Sequence, residues 1–240
     1  MRLKNRIALI TGASRGIGAA VAKAYAREGA HVILLARTVG ALEELDDEVR
    51  ALGGSASLVP LDLEKPELID GLAAPLLERF GRLDILVANA AMLGKMTPSF
   101  QYPPDLWEKV FRLNVHANQR LLRALHPLLQ ASDAGRVLMV SSSVSRDARA
   151  YWGAYASSKA ALDSLAMIYA RETQDSRIRV NVINPGGTRT DMRATAFPGE
   201  DPATLPAPEE IAEVFVALAE SGCTRHGEWI AAREFCGIKR

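Results

Sequence analysis

The alternation of short apolar runs with longer amphipathic stretches constrains this chain more than any other feature. Seven runs read as strands, over residues 7–10, 31–36, 57–60, 83–88, 136–141, 178–183 and 228–231. Between them, residues 16–27, 40–52, 67–80, 105–130, 154–173 and 208–220 read as helical, with 105–130 long enough to be broken or bent. Strands separated by helices of this length form right-handed crossover units, which pair the strands in parallel and lay helices on both faces. The strands are continuous Val/Ile/Leu runs, as burial on both faces requires. No repeat, low-complexity tract or linker divides the 240 residues, a length that suits one large α/β domain with a full core. The expectation is therefore one domain over 1–240, a single doubly wound parallel sheet of about seven strands. A Pro-rich stretch, 197–208, is too short for a domain and reads, with the residues before it, as a substrate lid over 191–208.

Composition works mainly by exclusion. The net charge is +1 with no basic or acidic block, which gives no support to nucleic-acid binding or a polybasic membrane contact. The apolar run after the basic N-terminus stops at Thr11-Gly12, too early for a signal peptide, and no segment is long enough to span a bilayer. Cys223 and Cys236 lack metal-ligand spacing and fit a reducing compartment, so a cytoplasmic protein is expected. His31, His116, His126 and His226 are scattered, and no metal is expected.

The first strand runs directly into Thr11-Gly12-Ala13-Ser14-Arg15-Gly16-Ile17-Gly18, where a helix opens. Gly12 permits a tight turn, Gly16 admits a pyrophosphate close to the backbone, and Gly18 lets the helix pack on the sheet. The helix N-terminus then offers N–H groups and a positive dipole end to phosphates. The glycine spacing departs from G-x-G-x-x-G, but its place between the first strand and a helix makes it specific. A carboxylate about 20 residues on would accept from an NAD ribose. The second strand instead ends Leu35-Ala36-Arg37-Thr38. Arg37 and Arg15 suit a 2′-phosphate, which favours NADP(H) over NAD(H).

Tyr155 and Lys159 stand four residues apart at the start of an Ala-rich helical run, on one helical face. An ammonium beside a phenol favours the phenolate and lowers its pKa. Such a tyrosine can exchange a proton with a carbonyl or alcohol oxygen, the acid/base half of a hydride transfer.

Taken together, Thr11 to Gly18, Asp62, Asn89-Ala90-Ala91, Asn114, Ser142, Tyr155 with Lys159, and Pro185-Gly186 resemble the short-chain dehydrogenases/reductases, in order and spacing, from Asn5 to about Glu220. The resemblance implies a Rossmann-type fold. It implies that Tyr155 is the general acid or base, that Lys159 lowers its pKa and binds the nicotinamide ribose, and that Ser142 orients the substrate oxygen. Asn114 would hold a water that relays protons to Lys159. Asp62 would contact the adenine, with Asn89 and Ala90 under the adenine ribose. Pro185, Gly186, Thr188 and Thr190 would fix the carboxamide, while Gly12, Ser14, Arg15, Gly16, Ile17 and Gly18 hold the phosphates. Ser141, Ser142 and Ser143 are consecutive; counting from both sides selects Ser142, and a register error of one would select Ser143.

Ala91 replaces the usual glycine, and residues 224–230 lack the usual Asp-Gly-Gly of the last oligomer interface. A homodimer stays implied; a tetramer loses that support. The pattern around Trp152 and Pro185 looks like a bacterial subgroup of oxidoreductases without assigned substrates.

Segments 92–104, 143–152 and 191–197 are expected to surround the nicotinamide and so to form the pocket for a small-molecule carbonyl or alcohol substrate. They combine apolar residues with Arg146, Arg149 and Arg193, which suits either a carbonyl with an acidic tail or an apolar lid whose arginines face solvent. A catalytically silent NADP(H) sensor is the rival reading, since fold alone does not fix function. The joint presence of Ser142, Tyr155, Lys159 and Asn114 favours the enzyme.

Overall fold

The computed structural model of the chain describes residues 1–238. Seven strands form one sheet: β1 (Ile7–Thr11), β2 (His31–Ala36), β3 (Ser55–Pro60), β4 (Ile85–Ala88), β5 (Arg136–Val140), β6 (Arg179–Asn184) and β7 (Glu228–Ala231). Their order is β3-β2-β1-β4-β5-β6-β7, and every pairing is parallel. The direction of winding reverses between β1 and β4, which opens a crevice at the carboxyl ends of these strands.

The helices are α1 (Gly16–Arg27), α2 (Val39–Ala51), α3 (Pro66–Asp70), α4 (Ala73–Phe80), α5 (Pro104–Phe111), α6 (Ala117–Gln130), α7 (Gly153–Glu172), α8 (Asp191–Ala196), α9 (Pro208–Ala219) and α10 (Ala232–Phe235). Strand side chains alternate between two cores. Ile10, Val32 and Leu34 pack with Val21, Leu42 and Phe215 of α1, α2 and α9. Leu9, Ile33 and Leu86 pack on the opposite face with Leu121, Leu125 and Leu162 of α6 and α7. No helix among the described residues is long and apolar enough to cross a membrane.

The differences from expectation have local causes. β4 starts at Ile85 rather than at residue 83, because the Asp84 carboxylate accepts the Ile7 N–H at 2.8 Å, a place a strand carbonyl would otherwise take. β3 begins two residues early because Ser55 and Ala56 pair with His31 and Val32. The helix expected over 67–80 divides at Gly71 and Leu72. The long 105–130 segment is α5 and α6 joined by a π-helical turn, Arg112–His116. α8 and α10 went unanticipated; both are very short.

Packing is tight where α1 meets the β1 turn. A Cβ on Gly18 would fall well inside contact distance of the Gly12 carbonyl oxygen and 2.8 Å from Asn89 Nδ2. Gly12 itself has φ +64°, a left-handed conformation that glycine adopts without strain. Gly18→Ala must push α1 off the sheet, so it is expected to cost about 1–3 kcal/mol, the usual penalty for overpacking. Urea denaturation measures this, and an unchanged midpoint would refute the packing argument.

Candidate active site

A cleft of about 1180 Å³ runs along the carboxyl ends of β1 to β6, lined by residues that follow each strand. At one end lie Gly12, Ser14, Arg15, Gly16 and Ile17. α1 begins there with no side-chain cap and no acidic residue in its first turn. Its first N–H groups and positive dipole end are thus left to a ligand. Gly18 sits beneath, as the packing contact described above. Arg15 reaches across to Asp191, 3.6 Å away.

Asn89 and Ala90 line the same cleft, and their polar groups are largely spent on the fold. Asn89 Nδ2 donates to Thr11 O at 2.9 Å and Gly12 O at 3.2 Å, while Thr11 Oγ1 accepts from the N–H groups of Asn89 and Ala90. The Asn89 side chain therefore braces β4 to the Gly-rich turn. At the next corner lie Arg37 and Asp62, with Glu64 and Lys109 beside them. Glu64 contacts Arg37 at 3.2 Å and Lys109 at 3.5 Å.

Ser142, Tyr155 and Lys159 meet at the other end. Ser142 follows β5, whereas Tyr155 and Lys159 project from the first turns of α7. Ser142 lines the cleft and Ser143 does not, which agrees with the counted register. Ser141 Oγ is buried without a hydrogen-bond partner among the protein groups. Lys159 is buried, and its Nζ donates to Val140 O at 2.7 Å. It stands 5.8 Å from the centre of the Tyr155 ring.

Burial disfavours the charged form of both groups. It pulls Lys159 down to about 8, with Asp163 opposing. It pushes Tyr155 up to about 12, with the Ser142 hydroxyl opposing. The ammonium is directed at a backbone carbonyl, and the Ser142 hydroxyl is the group that favours the phenolate in the cofactor-free protein.

Asn114 is tied to the same helix through Ser158. It is fully buried in the π-helical turn, and its two amide hydrogens go to Met92 O and Ser158 Oγ, each at 3.0 Å. Its Oδ1 accepts from Met92 N, and its carbonyl accepts from Asn118 Nδ2. The side chain holds the strand-end loop to α7 and is not free to bind a water. Pro185, Gly186, Thr188 and Thr190 form the opposite wall. Thr188 is buried, and Thr190 Oγ1 caps α8 by accepting from Arg193 N.

Of the three basic residues expected at the substrate mouth, only Arg193 lines the cleft. It makes a two-point pair with Glu200, at 2.6 and 2.7 Å, and lies 3.7 Å over the Phe197 ring. Arg146 stacks on Trp229 and Arg149 pairs with Asp147. The wall near Tyr155 is apolar instead, built from Leu93, Trp152, Met192 and Ala196.

Sequence reasoning missed Glu64 and Asp163. Asp163 Oδ2 accepts from Ser145 Oγ at 2.6 Å and Trp229 Nε1 at 3.2 Å, tying the turn after Ser142 to α7. Its position four residues past Lys159, on the same helical face, was the available signal. Among the described residues no group of three or more His, Cys, Asp or Glu side chains is arranged to hold a metal.

A dinucleotide-type sheet whose switch point carries a Gly-rich turn, with a buried tyrosine and lysine farther along the same crevice, defines a class of oxidoreductases. The sequence pattern of the short chain dehydrogenase family matches residues 6–201. The uncharacterized oxidoreductase YciK of Escherichia coli K12 is 44% identical over 219 residues, which span 90% of this chain and 86% of that protein. A short chain dehydrogenase from Shigella flexneri, solved in complex with NADP, superposes with a TM-score of 0.93 at 42% identity, covering 97% of this chain and 99% of that one. Another from Escherichia coli CFT073, in complex with NADPH, gives 0.93 and 42%, covering 97% and 98%. The chain belongs to the short-chain dehydrogenase/reductase family of oxidoreductases.

The lowered lysine has a thermodynamic signature. Between its folded value of about 8 and its ordinary 10.5, the unfolded chain binds more protons, so stability rises with pH across that window. Relative to Lys159→Met, the cofactor-free protein should gain stability from pH 8 to 10.5 and show no such gain below pH 8. Denaturation at a series of pH values, with ¹⁵N resonances of the lysine amine, measures both; an amine that titrates at its ordinary value refutes the assignment.

Proposed function

We propose that this chain is an NADP(H)-dependent oxidoreductase that reduces a small-molecule carbonyl, or oxidises the corresponding alcohol, with Tyr155 as general acid or base. The observation that carries the reading is the burial of Tyr155 and Lys159 with Ser142 along one cleft whose other end is a Gly-rich turn. The cofactor fits the residues present: a side chain at Gly18 would fill the turn, α1 leaves its N-terminal N–H groups free, and Arg15 and Arg37 stand where a phosphate-bearing ribose would lie. Relatives of this chain at 42% identity were solved with NADP and NADPH. When bound, the reduced cofactor would supply the hydride, and the protein supplies position and proton transfer.

In reduction, the Tyr155 phenol donates its proton to the carbonyl oxygen as the carbon receives the hydride. Ser142 Oγ donates a second hydrogen bond to that oxygen. With its pKa pushed up to about 12, the phenol is protonated throughout the neutral range, the form that reduction needs. Lys159, beside it, offers a positive charge to the phenolate left behind, and the carbonyl of Asn114 is the proposed anchor of a water that returns the proton. Pro185, Gly186, Thr188 and Thr190 would hold the carboxamide, and residues 191–208 would form the lid, pinned by the Arg193–Glu200 pair. A role confined to sensing NADP(H) would leave the cluster of Ser142 with the buried Tyr155 and Lys159 without a use.

Tyr155→Phe should lower the rate of NADPH-dependent carbonyl reduction by about 10²–10⁴-fold while NADPH affinity stays the same. Steady-state rates over a panel of ketones, aldehydes, quinones and 3-ketoacyl thioesters, with cofactor titrations, test this. Activity surviving in the variant overturns the mechanism. Because oxidation needs the phenolate, alcohol oxidation should rise with pH from 7 to 10 whereas reduction should not; parallel profiles count against Tyr155.

A further inference from the structure

We infer that Glu64 moderates the choice between the two nicotinamide cofactors, because its carboxylate competes with an adenosine 2′-phosphate for Arg37 and Lys109. The inference rests on the NADP(H) reading above. Glu64 lies beyond the end of β3, two residues past Asp62, and its own N–H is held by Asp62 Oδ1 at 3.1 Å. Its side chain is only 16% exposed, against 63% for Arg37 and 47% for Lys109. The carboxylate is thus the least exposed of the three, and the two cations come to it from different elements: Arg37 from the end of β2 and Lys109 from α5. Oε1 takes Arg37 and Oε2 takes Lys109, so both oxygens are engaged. All three residues line the cleft on its adenosine side, with Asp62.

A guanidinium presents five N–H donors in a planar fork that suits phosphate at two points. Its contact with Glu64 is a single one at 3.2 Å, which leaves most of that fork open. A 2′-phosphate placed on Arg37 would therefore meet a donor already facing a carboxylate, and would stand near that carboxylate with charge of the same sign. A cofactor with a plain 2′-hydroxyl brings no such charge and meets a neutralised corner. Glu64 thus moderates the preference that Arg37 alone would create. Both cations are substantially exposed, so solvent and salt screen the effect.

The test is the affinity of NADPH and NADH for the full chain and for Glu64→Gln, Arg37→Ala, Lys109→Met and the Glu64→Gln/Arg37→Ala pair, by calorimetry at low and high salt. Glu64→Gln is expected to tighten NADPH by about 3–10-fold, to change NADH by less than about 2-fold, and to lose most of the gain at high salt or without Arg37. Lys109→Met should weaken NADPH selectively, and it decides the matter if Glu64→Gln does not fold. Weaker NADPH binding in Glu64→Gln, or an equal change for both cofactors, overturns the inference. Failure of the NADP(H) reading looks different: the unaltered protein would bind NADH at least as tightly as NADPH, and Arg37→Ala would leave the ratio unmoved.

Discussion

The close approach of α1 to the turn after β1 is the constraint on which the rest depends. Without side chains at Gly12 and Gly18, the helix can begin directly at the strand end, and Asn89 can reach through to the carbonyls of Thr11 and Gly12. That brace ties β1 to β4 where the strand order reverses. A crevice at a reversal is a topological consequence, but its depth and polarity are set here. The N–H groups of α1 stay unpaired because nothing in the sequence caps them, and a helix with free N–H groups attracts anions. Everything placed along the cleft, from Arg37 to Tyr155, is positioned by strands whose register follows from this seam.

The opposite end shows how burial and hydrogen bonding divide the work. Lys159 and Tyr155 lie four residues apart on one helix, yet the lysine amine bonds to Val140 at the end of β5. Burial acts on the two in opposite directions, the amine down to about 8 and the phenol up to about 12. Near neutral pH the amine is charged and the phenol neutral, so both carry their protons. A phenolate formed there would be stabilised by Ser142 first and by the nearby ammonium second. A tyrosine in such surroundings is ordinarily a proton donor, and higher pH or added positive charge favours its basic form.

Periodicity made the sheet legible. All seven strands were expected, because continuous apolar runs separated by amphipathic stretches leave few alternatives. The ends were less legible where a side chain replaces a ladder bond, as Asp84 does for Ile7. Gly18, Tyr155 and Lys159 could be placed by spacing, and Ser142 through the family resemblance. The work of Asn89 and Asn114 could not, because each braces segments distant in sequence and spends its amide on backbone that only the fold brings near. The arginines at the substrate mouth stayed open between two readings for the same reason: Glu200 and Trp229, which occupy Arg193 and Arg146, declare themselves only in three dimensions.

Those pairings also decide where along the cleft a negative ligand is welcome. Arg15 and Arg37 are largely exposed, and each touches its carboxylate, Asp191 or Glu64, through one long contact of 3.6 or 3.2 Å. Such pairs are weak and easily exchanged. Arg193 is different: it is mostly buried, bound at two points to Glu200, and stacked on Phe197. A bidentate pair of this kind is the stronger sort, and freeing its arginine would leave Glu200 uncompensated. Phosphates can therefore exchange for carboxylates at one end of the cleft, whereas at the other the exchange is opposed and the surrounding wall is Leu93, Trp152 and Met192. The charge arrangement separates an end of the cleft where arginines are easily exchanged from an apolar end beside Tyr155.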